Sequence, residues 1–102
     1  MTHDPLDLRS QESRTKEQAD KARTERDLES ADVKWLMESK RGRRIIWRFL
    51  EQAGVFRLSF NTNAMSMAFA EGNRNAGLRL QALVHEVCPE LYPTMVKEAK
   101  ND

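Results

Sequence analysis

The residues best suited to acid–base or nucleophilic chemistry lie near the end of the chain: His85, Glu86 and Cys88. His85 and Glu86 are adjacent on a predicted helix and point in different directions, so they do not form a general acid–base pair. Cys88 is the single cysteine, and its neighbours Glu86 and Glu90 do not supply the cationic setting of a reactive thiol. No His/Cys cluster has metal-ligand spacing. The sequence therefore predicts that the protein is not an enzyme, uses no cofactor, metal or small-molecule substrate, and buries Cys88 as a small apolar residue.

Anion binding is the chemistry that the sequence favours more strongly. A basic run with no acid contains five cations: Lys40, Arg41, Arg43, Arg44 and Arg48. Such a patch can contact phosphates or an acidic protein, and it can also cover a solvated helix face or pair with acids elsewhere in the chain. The formal net charge of only +1 argues against a polycation that coats nucleic acid along its whole length.

Two tryptophans flank this basic patch. Trp35 and Trp47 have the aromatic rings that stack on single-stranded bases, but tryptophans are also ordinary core anchors. Because apolar residues at positions 45, 46, 49 and 50 share the helix of Trp47, we expect Trp47 to lie in the core.

The chain that positions these residues divides by composition into two parts. Residues 1–30 form a charged arm of mixed sign, whose spaced pairs of acid and base, such as Glu12 with Lys16, favour partial helicity. The arm can remain solvated or dock along a neighbouring subunit. Residues 31–102 contain the apolar residues of a compact helical domain, and a chain of 102 residues suits one such domain.

Apolar periodicity predicts an all-α domain of three to four helices, near 32–38, 40–53, 64–87 and 90–99. Ser30 or Asp32 is the expected N-cap of the first helix, and Ser39 that of the second. Gly42 indicates a break between them, and Gly54 suits the left-handed position after the second helix.

The second half of the domain has its own boundary signals. Residues 55–60 have no partner of strand type and are interpreted as a buried loop or short extended segment. Asn63 is the expected N-cap of the long helix, which has a candidate kink at 72–75, and Pro89 lies at the boundary before the last helix.

Apolar residues at the start of the long helix lie on more than one face. Burial of the extra face requires self-association or a partner. The candidate protein-interface residues are Trp35, Met65, Met67 and Phe69. No stretch approaches the roughly 20 apolar residues of a membrane span, and the N-terminal residues lack a signal-peptide pattern, so we expect synthesis and retention in the cytoplasm.

Several spaced segments together carry a resemblance to a known family. They are residues 32–37 (DVKWLM), 40–44 (KRGRR), 47–51 (WRFLE), 53–56 (AGVF), 69–75 (FAEGNRN), 77–78 (GL) and 85–92 (HEVCPELY). Over about residues 31–98 the chain resembles a family of small proteins from tailed bacteriophages, chiefly podoviruses, encoded among the virion structural genes. The family has no assigned activity, and the arm lies outside the pattern.

The resemblance implies a virion protein made in the cytoplasm of a bacterial host. The first hypothesis is an accessory structural protein that docks at the portal, the tail or the internal ejection core as part of an oligomeric assembly, with other virion proteins or copies of itself as partners. The alternative is a small DNA-binding phage factor that acts in genome packaging or host takeover through the basic patch at 40–48, in contact with packaged DNA.

Overall fold

A computed structural model describes residues 5–57 and 63–101 of the chain. It contains four helices: α1 (Pro5–Met37), α2 (Lys40–Ala53), α3 (Ala64–Val87) and α4 (Leu91–Asn101). None of the described residues lies in a strand, so the predicted all-α fold is confirmed. The described residues divide into two compact units between Ala31 and Asp32.

Helix α1 begins much earlier than predicted. It starts at Pro5, so the expected N-cap at Ser30 or Asp32 is wrong. Residues 7–29 are all exposed, and they hold their helix by local interactions, which include an ion pair between Arg23 and Asp20. Serine and aspartate are good caps, but in a stretch otherwise rich in helix-forming residues they are also tolerated on the solvent side of a continuing helix.

The boundaries of α2 follow the predicted capping residues. The Ser39 hydroxyl oxygen accepts a hydrogen bond from the Gly42 N–H at 3.0 Å. Gly54 follows the last helical residue with a φ of 79°, in the left-handed region. The predicted break between the first two helices is confirmed at residues 38–39, and α2 has the predicted bounds. Gly42 does not mark that break, because it is a buried residue inside α2. A Cβ at Gly42 would lie 1.8 Å from the Leu36 carbonyl oxygen, so the glycine permits close approach of α1.

Helix α3 has the predicted bounds. The Asn63 side-chain oxygen accepts hydrogen bonds from the N–H groups of Met65 and Ser66 at 2.9 and 3.0 Å, which confirms the N-cap. The helix continues without a break through residues 72–75. Helix α4 runs slightly later than predicted and follows the turn at Pro89. In the predicted loop at 55–60, Val55 is buried and residues 56–57 are exposed, while residues 58–60 lie outside the described residues.

The core lies where α2 packs against α3 and α4. Its buried residues are Val33, Met37, Ile46, Leu50, Val55, Val84, Cys88 and Met95. Gly77 is the first buried residue of α3, and a Cβ there would lie 2.5 Å from Val55 Cγ2 and 2.7 Å from Ala53 Cβ. No residue of α3 before Gly77 is buried. The first half of α3 therefore extends past the core.

Candidate functional site

Arg43 is the member of the basic run that the domain uses for its own structure. Its Nη2 donates to Glu98 Oε1 at 2.7 Å, and its Nε lies 3.1 Å from both Glu98 carboxylate oxygens. Its Nη1 donates to the Met37 carbonyl oxygen at 2.8 Å. One half-buried guanidinium thus joins α2 to α4 and to the last residue of α1, in the bidentate geometry that favours arginine over lysine.

The cations around Glu98 affect the pKa of its carboxyl. The hydrogen bond from Arg43 lowers the pKa of the Glu98 carboxyl below its usual value. Partial burial opposes this effect by raising the pKa, while the positive charges of Arg43, Lys40 and Arg44 lower it further. These three cations therefore favour the ionised form of Glu98.

Three other arginines of the run face solvent. Arg41, Arg44 and Arg48 are exposed, and no hydrogen bond or ion pair joins them to another residue of the described ranges. Lys40 is exposed as well. At 100° per residue, the three arginines fall within an arc of about 60° on α2. The structure thus separates Arg43 from the exposed cations.

Two adjoining grooves border Trp47. One, of about 380 Å³, lies between α2 and α4 and is lined by Lys40, Arg43, Arg44, Trp47, Glu51, Met95, Glu98 and Ala99. The other, of about 640 Å³, is lined by Trp47, Glu51, Gln52, Phe56 and Arg57. The rings of Trp47 and Phe56 stack with centroids 4.8 Å apart and an angle of 27° between their planes. Trp47 is half-buried and packs against the core, as predicted, with one side occupied by Phe56.

The candidate interface residues are all solvent-exposed. Trp35 is 72% exposed, Met65 84%, Met67 38% and Phe69 73%. Trp35 is on α1, whereas the other three residues are on the first half of α3, which extends past the core.

Sequence reasoning missed two exposed apolar residues on α2. Ile45 and Phe49 belong to the apolar pattern of α2, but they are 49% and 46% exposed. Core residues Ile46 and Leu50 follow them directly, so the two pairs must point in different directions on a helix. The adjacency of these two apolar pairs was the signal in the sequence that one of them would be exposed. Ile45 and Phe49 border the exposed arginines on the side away from Trp47.

His85 packs against Tyr92, and Cys88 is part of the core. The His85 and Tyr92 rings lie 4.3 Å apart, and Gln81 Nε2 donates to the Tyr92 hydroxyl at 2.7 Å. Cys88 is fully buried, which confirms its predicted role. Burial, with a smaller contribution from Glu90, raises the pKa of its thiol. Among the described residues, no group of three His, Cys, Asp or Glu side chains could hold a metal ion.

These features define a small helical protein whose distinctive surfaces are an exposed apolar half-helix and an exposed basic helix face. The chain belongs to the family of Bbp19-like phage proteins, whose family model matches residues 33–97. The resemblance to a phage protein family is therefore confirmed. No curated protein and no solved structure matches the chain. Within the described part of the chain, no helix is both long and apolar enough to cross a membrane.

Proposed function

We propose that the protein is a virion-associated accessory structural protein of a podovirus-like phage, encoded with the virion structural genes. It is made in the cytoplasm of the bacterial host and docks at the portal, the tail or the internal ejection core as part of an oligomeric assembly. Membership of a phage protein family supports the phage context of this proposal. The protein acts by binding and performs no catalysis.

The observation that carries the proposal is the exposed apolar face of α3. Residues 64–70 contain no charged side chain, and none of them is buried. Met65, Phe69, Gly72 and Ala76 follow one another at helical spacing, and all four are exposed. A Cβ added at Gly72 would meet nothing within 4 Å, so a partner helix can approach closely there.

The chemistry of this face favours an apolar helix of another virion protein as its partner. Burial of one large apolar side chain contributes about 1.5–3 kcal/mol, so Met65 and Phe69 together would contribute substantially to docking. The charged arm lies outside this apolar face, and we assign it to contact with a neighbouring subunit in the same assembly.

Mass spectrometry of purified particles tests the proposal. Wild-type protein is expected in particles, and Phe69→Glu is expected to reduce its incorporation roughly ten- to hundredfold, from the lost burial of one side chain. Ala82→Glu adds the same charge at an exposed position elsewhere on α3 and should leave incorporation unchanged. Circular dichroism and thermal melting of both purified variants establish that they fold.

Two outcomes contradict the proposal. Absence of the wild-type protein from particles excludes the virion role, and equal incorporation of folded Phe69→Glu excludes this face of α3. Analytical ultracentrifugation of the free protein tests the self-association alternative. A wild-type dimer that Phe69→Glu dissociates would assign the face to a second copy instead of another virion protein.

A further inference from the structure

The exposed arginines of α2 form a line along the helix. Arg41, Arg44 and Arg48 are three and four residues apart, which places them at successive rises of about 4.5 and 6 Å along the helix axis. We define these three residues as the arginine stripe. All three are exposed, and no hydrogen bond or ion pair links the stripe to another residue that the structure describes.

Local electrostatics oppose this arrangement in the isolated domain. The first turn of α2 contains no acid, while three of its residues, Lys40, Arg41 and Arg43, are cations. Cations near a helix N-terminus are unfavourable because the helix macrodipole already places positive charge there. Arg43 forms an ion pair with Glu98. Arg44 lies near enough to Glu98 to lower its pKa, but none of the three stripe arginines forms an ion pair with another described residue. Residues that are unfavourable for local structure, such as these cations at a helix N-terminus, are concentrated at functional surfaces.

We propose that the arginine stripe binds the phosphate backbone of duplex DNA without sequence specificity. The three guanidinium groups follow one line, which suits a polymer with regularly repeated negative charge, and arginine binds phosphate through paired N–H donors. An acidic protein would need carboxylates placed at separate, specific positions. The inference goes beyond the proposed function, because docking through α3 does not require DNA contact.

The structure assigns the five cations of the basic run different roles. Arg43 is held by Glu98 and by the Met37 carbonyl oxygen, so it is not available to a phosphate. Arg41 and Arg48 point away from Arg43, next to the exposed apolar residues Ile45 and Phe49. Arg44 lies between them and Arg43, at the edge of the groove that contains Glu98. Loss of a stripe arginine should therefore weaken DNA binding and leave the fold intact, while loss of Arg43 should affect the fold.

Fluorescence anisotropy with a labelled 20-base-pair duplex of arbitrary sequence, measured between about 50 and 200 mM salt, tests the inference. Three phosphate contacts give a slope of log K against log salt of about −2.7, or an affinity loss of about 40-fold over that range. Arg44→Ala should lower the affinity and reduce the magnitude of the slope by about 0.9. The triple replacement R41A/R44A/R48A should abolish binding, with a thermal melting temperature no lower than that of the wild type.

Arg79→Ala is the matched control, because it removes one exposed arginine from α3 and should leave the slope unchanged. A parallel titration with polyglutamate tests the acidic-protein alternative. The inference is overturned if the duplex does not bind at low salt, or if the folded triple variant binds as the wild type does. It is also overturned if Arg79→Ala reduces the slope equally, or if polyglutamate binds as tightly as DNA through the same arginines. None of these outcomes depends on incorporation into particles.

Discussion

Replacing Gly42 by alanine should destabilise the domain, although alanine is the better helix former. The added Cβ would lie 1.8 Å from the Leu36 carbonyl oxygen and 2.6 Å from its carbon, and real Cβ contacts are essentially never shorter than 3.0 Å. The end of α1 and the start of α2 must therefore separate by about 1.2 Å to reach that limit. Because the obstacle is backbone, no side-chain rotation relieves it.

The magnitude follows from two opposing effects. Helix propensity favours Gly→Ala by about 1 kcal/mol, while overpacking typically costs about 1–3 kcal/mol, with backbone clashes at the upper end. Separation of the helices would also disturb Val33 and Met37, which are buried in the core. We expect a net loss of about 2 kcal/mol, which lowers Tm by about 8–16 °C in a domain of this size.

Gly72→Ala is the matched control for Gly42→Ala. Gly72 is also inside a helix, but a Cβ there would meet nothing within 4 Å. Alanine should therefore stabilise the protein by about 0.5–1 kcal/mol. Urea unfolding followed by circular dichroism measures both changes. A Gly42→Ala variant as stable as the wild type, or a clearly destabilised Gly72→Ala variant, would refute the reasoning.

Two further predictions concern titratable residues of the domain. The folded-state pKa of Glu98 is lowered, so its ionised form stabilises the fold above about pH 4.5, and this stabilisation is lost as the pH falls through the folded-state pKa. Melting curves should show wild type more stable than Glu98→Gln at neutral pH, with a gap that closes in acid; a gap independent of pH would contradict the role of Arg43. Cys88 is buried with a raised thiol pKa, so a thiol reagent should modify it slowly in the native protein and rapidly in urea. Equal rates in both conditions would show that the core is open.

Much of the domain could be predicted because its boundary signals are local. Ser39, Gly54 and Asn63 act as caps through contacts within a few residues of the chain, and such contacts depend little on tertiary structure. The role of Gly42 could not be predicted in the same way. Its close approach to Leu36 depends on the path of the chain through residues 38–39, which no periodicity specifies.

Dependence on tertiary structure also limited the prediction of the candidate site. The sequence identifies the basic run, but the partner of Arg43 is Glu98, which lies 55 positions away. Only the packing of α2 against α4 separates this structural arginine from the exposed ones. The exposure of Ile45 could not be predicted, because adjacent apolar residues on α2 leave the direction of its buried face ambiguous by one residue.

Because α3 extends beyond the core, one continuous helix contains two regions that differ in local stability. From Gly77 onward the helix is held by the core, whereas residues 64–76 have no buried residue to hold them. A segment of that length is marginal as an isolated helix in water, because helix nucleation is unfavourable, and none of its residues is buried in the core. Local opening should therefore begin at this end of α3 while the core stays closed. A partner that covers Met65 and Phe69 would stabilise the helix as it binds, so part of its binding free energy would be spent on ordering this segment.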